Sequence, residues 1–259
     1  MTTVDAYRDA ASAWATRVSA IYSRLAQAVV GDSPVPLAGA RVLDLGTGTG
    51  VVSALAVDAG ARVIGLDLSE EMLRHDRLRR APGVVADALH VPFRLGAFDM
   101  VIAACLVNHF LEPAQAIRVA ASVVRPGGAV VASAFSAEQD AMKAALDDVA
   151  RSAGWRPPEW YAAIKRASAA NLGDPDSLAA TGRAGGLVDP VVHRHRVDMT
   201  ELSPDDAVAY RFSLPPFAPW LAALPAAERD RVVADGRDAA AHIVPTWRLT
   251  LLVLAGAVS

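Results

Sequence analysis

The sequence predicts an α/β fold built on a parallel, doubly wound sheet, and three observations carry that expectation. Short apolar segments alternate with helical ones between residues 41 and 135, the pattern of a sheet covered on both faces. The run Val42-Leu43-Asp44-Leu45-Gly46-Thr47-Gly48-Thr49-Gly50 passes from a strand into glycines at alternate positions, and a helical stretch follows at once. Glycines there permit positive φ and bring backbone N–H groups close to a ligand. Over 259 residues the chain is 53% hydrophobic and 20% charged, enough for one such domain with insertions.

The elements follow in order. Residues 5–30 read as one or two helices, because Trp14, Val18, Ile21, Tyr22, Leu25 and Val29 recur at helical spacing. Gly31-Asp32-Ser33-Pro34-Val35-Pro36 ends them. Strands are expected at 41–45, 62–66, 84–86, 98–104 and 129–135, with helices at 51–59, 69–80 and 113–124. Residues 137–153 read as a helix, and 154–161 as a break rich in proline and aromatics. Asp174-Pro175-Asp176-Ser177 has N-cap and first-turn character, and Gly185-Gly186 stops the helix it opens. Residues 187–199 form a strand, Ser203-Pro204-Asp205-Asp206 opens a helix to about Phe212, 225–242 is helical and 246–257 is a final strand. The 137–180 segment is expected to fold over the ligand edge of the sheet.

Bulk properties exclude several classes. A net charge of −3 argues against a nucleic-acid backbone as main partner. Cys105 is the single cysteine, so no intramolecular disulfide or cysteine zinc site can form, and a reducing cytoplasmic compartment fits. The first residues lack a signal-peptide apolar core, and the apolar run at 249–258 is too short to span a bilayer as a helix. Lys143 and Lys165 are the only lysines, which reads as genomic base composition.

The glycine turn has rivals. A dinucleotide fingerprint would place a third glycine where Val51 stands, and a phosphate loop would end in Gly-Lys-Ser/Thr, which is absent. Asp67 ends the second strand, one strand over from the turn, where a carboxylate can accept hydrogen bonds from both ribose hydroxyls. Asp87 follows the third strand, Phe98-Asp99 opens the fourth, and Arg125-Pro126-Gly127-Gly128 precedes the fifth.

With LDLGTGTG, GLDLS, ADALHVPF, FDMVIAACLVNHF and VVRPGG together, the chain resembles the class I S-adenosylmethionine-dependent methyltransferases of small molecules, of the kind related to the ubiquinone and menaquinone biosynthesis methyltransferases. The resemblance covers residues 5–135 well and the rest in outline. It implies a doubly wound, mostly parallel seven-stranded sheet, the Rossmann-like methyltransferase fold, with a helical cap insertion. It divides the single domain into an N-terminal helical cover (1–36), a cofactor-binding core (37–136), a helical cap (137–186) and a C-terminal part completing sheet and acceptor pocket (187–259).

The resemblance also implies roles. S-adenosyl-L-methionine is the expected cofactor. Gly46 and Gly48, with Thr47 between them, would set backbone against its methionine part, and Asp44 would orient the turn from beneath. Asp67 would bind the ribose hydroxyls and Leu68 would pack on adenine. Asp87 and the Ala88 N–H would meet the adenine edge, and the Ala104 carbonyl would meet the cofactor ammonium. Trp14 stands where the family often has tyrosine and would help to close the site, or would be core. Asp44 can equally be a turn-former, Asp87 a turn residue, and Asp67 part of a helix cap with Ser69-Glu70-Glu71.

His109, in Val107-Asn108-His109-Phe110, is the catalytic candidate; a general base, a cofactor contact and a helix cap all stand open. Asn108 departs from the His-His pattern of related enzymes. His193 and His195 share one face of a strand, with Arg194 and Arg196 on the other, but no carboxylate nearby completes a metal site, so none is expected. Trp155, Trp160, Tyr161, Phe212, Phe217 and Trp220 divide between a partly aromatic acceptor pocket and ordinary core. Methyl transfer to O, N or C of a small, partly apolar or aromatic acceptor is the leading expectation. A non-methyl-transfer reaction such as cyclisation on the same cofactor, a non-catalytic binding protein and, more distantly, a nicotinamide dehydrogenase are the alternatives.

Overall fold

The computed structural model describes residues 18–75 and 81–259. Trp14 therefore lies outside the described residues, as do 76–80 of the expected 69–80 helix.

Strands β1 (Arg41–Leu45), β2 (Arg62–Asp67), β3 (Gly83–Val85), β4 (Phe98–Ala103), β5 (Val124–Phe135), β6 (Val188–Asp198) and β7 (Arg248–Ala257) form one seven-stranded sheet in the order β3-β2-β1-β4-β5-β7-β6. The first five pair in parallel, whereas β7 runs antiparallel to both β5 and β6. The expected α/β, doubly wound and mostly parallel sheet is what the chain forms.

Helix α1 (Ser19–Gly31) precedes β1; α2 (Val51–Asp58) and α3 (Glu70–Arg74) follow β1 and β2, and α4 (Pro113–Ser122) joins β4 to β5. Three helices, α5 (Ala141–Ser152), α6 (Glu159–Leu172) and α7 (Pro175–Ala184), lie between β5 and β6. Another three, α8 (Pro204–Phe212), α9 (Ala218–Ala223) and α10 (Ala226–Ala241), separate β6 from β7. The 154–161 break ends earlier than expected: Pro158 is the N-cap of α6, so Trp160 and Tyr161 sit in its first turn. Proline just before a helix, followed by the acidic Glu159, suits a helix start as well as it suits a loop.

Capping follows local chemistry. Asp140, Asp174 and Ser203 each accept backbone N–H groups at the starts of α5, α7 and α8, and Ser203 and Asp206 complete a capping box.

The central strands are buried on both faces, as their unbroken apolar runs require, and two apolar layers result. One packs Ile21, Leu25, Ala56, Leu146, Tyr210 and Trp247 on one face; the other packs Ile117, Ala120, Leu172 and Leu178 on the opposite face. Trp155 is fully buried, stacked on Phe217 at 4.1 Å, and its Nε1–H donates to the Pro216 carbonyl at 2.8 Å. Trp155, Phe212 and Phe217 are thus core. Strand β6 is an edge, and its exposed His, Arg and Asp side chains discourage further strand pairing.

At the opposite end of the sheet from the glycine turn, Asp99 accepts from the Arg41 side chain (3.1 Å), the Arg41 N–H (2.8 Å) and Arg125 Nε (2.7 Å). These bonds, foremost those of Arg41, hold its carboxyl well below the usual carboxylate range. The FDMV and VVRPGG motifs therefore tie β1, β4 and β5 together rather than meeting a ligand.

Candidate functional site

Strand order reverses between β1 and β4, so a crevice opens beyond their carboxyl ends, where ligands bind in open α/β sheets. The glycine turn occupies that place. Gly46, Gly48 and Gly50 have φ of +74°, +54° and +91°, the left-handed region that glycine enters without a Cβ clash. The Gly46 and Thr47 N–H groups both donate to the Leu66 carbonyl, at 2.8 and 2.9 Å, locking the turn onto β2. A Cβ at Gly46 would stand 2.7 Å from a Leu106 methyl, whereas one at Gly48 would meet nothing within 4 Å among the described residues. Gly46 is thus demanded by packing, and Gly48 by its positive φ.

Asp44 lies beneath the turn, 1% exposed, and its Oδ2 accepts from Thr47 Oγ1 and Ser53 Oγ, both at 2.7 Å. Thr47 is therefore an internal brace of the turn. Asp67 ends β2 with both oxygens aimed at the turn region: Oδ2 accepts the Gly48 N–H at 2.8 Å, and Oδ1 accepts the Ser69 N–H at 2.9 Å. Ser69, not Asp67, is the N-cap of α3. The next residue, Leu68, is 45% exposed, an apolar side chain in water beside the acidic one.

Asp87 accepts the Leu89 N–H at 2.9 Å, and its other oxygen lies 2.9 Å from His90 Nδ1. Partial burial opposes the ion, but the Leu89 amide and His90 outweigh it and hold the carboxyl below its ordinary value. Ala88 beside it is buried. Ala104 follows β4, and Cys105 after it has φ of +51°. A non-glycine residue there costs about 1–3 kcal/mol, and such strain gathers at functional sites. The Cys105 N–H donates to Ser133 Oγ at 2.9 Å, which fixes the Ala104–Cys105 peptide.

His109 closes a 3-10 turn (Val107–His109) that also carries Asn108. Burial pushes its imidazole down to about 4, so it is neutral at neutral pH. His109, Asn108, Tyr22, Tyr210, Trp160 and Tyr161 line a cavity of about 90 Å³ together with Lys143, Lys165 and Arg211. Burial pushes the Lys143 ammonium down to about 8, against the pull of Asp140 at 3.8 Å. Sequence reasoning passed over Lys143, Lys165 and Arg211. The signal was there: both lysines of a chain otherwise served by arginine stand at one cavity.

A larger groove, about 460 Å³, lies between α5 and α10 around Asp148, Arg231 and Asp235, away from the strand ends. The expectation that no carboxylate accompanies the strand histidines is corrected: Asp32, at the end of α1, accepts from His195 at 2.6 Å and lies 3.2 Å from His193. The pairing is long-range, between α1 and β6, and sequence spacing carries no trace of it. These two histidines and Asp32 form a group whose ligand-type atoms lie within 4.8 Å of one another.

Residues 43–132 match the methyltransferase domain family. A demethylmenaquinone methyltransferase of Mycolicibacterium paratuberculosis is 33% identical over 158 residues, covering 57% of this chain and 69% of that protein. One from Corynebacterium kroppenstedtii is 39% identical over 101 residues, covering 39% of this chain; the match spans 44% of that relative's length, under half. In overall fold the chain is similar to Haemonchus contortus phosphoethanolamine N-methyltransferase 2, solved with phosphomonomethylethanolamine and S-adenosylhomocysteine, at a TM-score of 0.58 and 18% identity, over 90% of this chain and 52% of that one. The chain belongs to the class I S-adenosylmethionine-dependent methyltransferases and is related to those of quinone biosynthesis. Among the described residues no helix is long and apolar enough to cross a membrane.

Proposed function

We propose that this chain transfers a methyl group from S-adenosylmethionine to a small organic acceptor held in the cavity beside His109. The observation that carries the reading is the junction of turn and strand at the point where strand order reverses: Gly48, at positive φ, bonded through its N–H to Asp67 at the end of β2. The residues fit the cofactor. Leu68 offers an exposed apolar face for adenine, Asp67 and Asp87 offer carboxylates to hydroxyl and amino groups, and the strained Ala104–Cys105 peptide offers a carbonyl to an ammonium.

The bound cofactor would supply an electrophilic methyl on a sulfonium. The protein's own work is then to align the acceptor and exclude water, and orientation of that kind is worth up to ~7–11 kcal/mol. Neutral His109 and Asn108 orient the acceptor by hydrogen bonds. Tyr22, Trp160 and Tyr161 exclude water around it. In this reading residues 1–36 cover the cofactor, 37–136 bind it, 137–186 cap the acceptor and 187–259 complete the pocket. The single buried thiol suits work in the cytoplasm.

The test is incubation with S-adenosylmethionine and a panel of small aromatic and aliphatic acceptors, following S-adenosylhomocysteine and product together. Equal amounts of both support methyl transfer. Product without S-adenosylhomocysteine, or failure to bind either cofactor form by calorimetry, overturns it.

A further inference from the structure

The cavity beside His109 has a charge pattern that methyl transfer alone does not require. Among the described residues three cations line it, Lys143, Lys165 and Arg211, and no carboxylate does. Of the 25 lysines and arginines in the chain only Lys143 and Lys165 are lysine, and both are here.

The carboxylates behind the wall are already engaged. Asp147 pairs with Arg211 at 2.6 Å and with Arg151 at 3.8 Å. Asp140 turns Oδ1 to the N–H groups of Met142 and Lys143 as the cap of α5, leaving only a 3.8 Å approach to the Lys143 ammonium. Lys165 has no ion pair among the described residues. Lys143 also sits over the Phe135 ring at 4.1 Å, which steadies it without neutralising it. Like charges drawn together in a half-enclosed space are costly unless an anion joins them. Burial, and then Arg211 and Lys165, push the Lys143 ammonium down, while Asp140 acts the other way.

Resting on the methyl-transfer reading above, we infer that the acceptor is an aromatic anion, whose ring lies among Trp160, Tyr161 and Tyr210 and whose charged oxygen lies between Lys143 and Lys165. The aromatic walls accept a flat ring, and two flexible ammonium groups suit an oxyanion approached from either side. The anion is either a carboxylate that anchors the acceptor or a phenolate that itself takes the methyl. Its arrival raises the Lys143 pKa, because it replaces repulsion from Arg211 and Lys165 with attraction. His109, neutral here, and the buried Tyr210 hydroxyl contribute no opposing charge.

With two lysines in the chain, carbon-13-labelled lysine gives an NMR spectrum with two side-chain sets to assign. The full-length protein, saturated with S-adenosylhomocysteine, is titrated with 4-hydroxybenzoate, 4-nitrophenolate and the neutral 4-hydroxybenzamide. At least one anion is expected to bind tenfold or more tighter than the amide and to raise the Lys143 pKa by a unit or more. A preference for benzoate marks an anchoring carboxylate, and a preference for nitrophenolate marks an ionised nucleophile. Lys143→Met and the exposed Lys165→Met should each cut the preference to within threefold, and the second keeps the test open should the first fail to fold. Equal binding of the amide, no shift with either anion at millimolar concentration, or an unchanged preference in Lys165→Met would overturn the inference. S-adenosylhomocysteine affinity, measured on the same samples, separates the two levels: normal affinity without anion preference defeats this inference alone, and no affinity defeats the methyl-transfer reading.

Discussion

Gly48→Ala separates a folding role of the turn from a binding role. Among the described residues the new methyl would meet nothing within 4 Å, so against them the cost to the fold is the left-handed backbone, φ +54°, about 1–2 kcal/mol. For a chain of this size that is a fall in Tm of roughly 2–8 °C. Gly46→Ala pays the same strain at φ +74° and also drives a Leu106 methyl from 2.7 Å, adding about 1–3 kcal/mol of overpacking. Stability should therefore rank wild type, Gly48→Ala, Gly46→Ala. Affinity should not follow that order. A methyl on this turn occupies the approach of the cofactor's methionine part, so Gly48→Ala should weaken S-adenosylhomocysteine by about a hundredfold or more, ~2.7 kcal/mol. Calorimetry and thermal unfolding on the same preparations decide. Wild-type affinity in a Gly48→Ala protein of modestly lowered Tm would refute the reasoning.

Three further outcomes follow from the geometry. Burial lowers the His109 pKa to about 4, so its neutral form stabilises the fold above the unfolded value of about 6.5, and that contribution is lost as pH falls toward 4; His109→Gln should lessen the drop in denaturant midpoint over that window, and an unchanged pH slope would contradict it. Arg211→Met leaves the partly buried Asp147 with only the distant Arg151 (3.8 Å), which should cost about 1–3 kcal/mol; adding Asp147→Leu should recover most of it, as urea unfolding would show. The Cys105 thiol is buried and pushed up to about 11, so iodoacetamide at pH 7.5 should label it only in denaturant, and rapid labelling of the folded protein by mass spectrometry would contradict that burial.

The sheet was legible because its signals are local. Apolar runs such as Val42–Leu45 and Val130–Ala134 announce strands buried on both faces, and glycines at 46, 48 and 50 announce the turn. Asp140, Asp174 and Ser203 open helices for reasons contained within three residues of each. What was not legible depends on distant partners. Asp67 reads as a ribose carboxylate in sequence, yet it also holds the Gly48 and Ser69 amides; Asp67→Ala would therefore loosen the turn as well as remove a ligand group. The Asp32 link to His193 and His195 joins residues more than 160 positions apart. The cavity beside His109 gathers α1, the 3-10 turn, α5, α6 and α8; His109, Trp160 and Tyr161 were singled out in the sequence, but Lys143, Lys165 and Arg211 join them only through the fold.

The central claim is that the cofactor seats on the glycine turn with its sulfur toward the cationic cavity that holds the acceptor. A crystal structure with S-adenosylhomocysteine tests it most directly. The account predicts methionine carbons against Gly48, ribose hydroxyls at Asp67, adenine over Leu68 toward Asp87, and the sulfur facing the space between His109 and Lys143. A ligand seated instead in the groove between α5 and α10, or a sulfur turned away from Lys143, would contradict it.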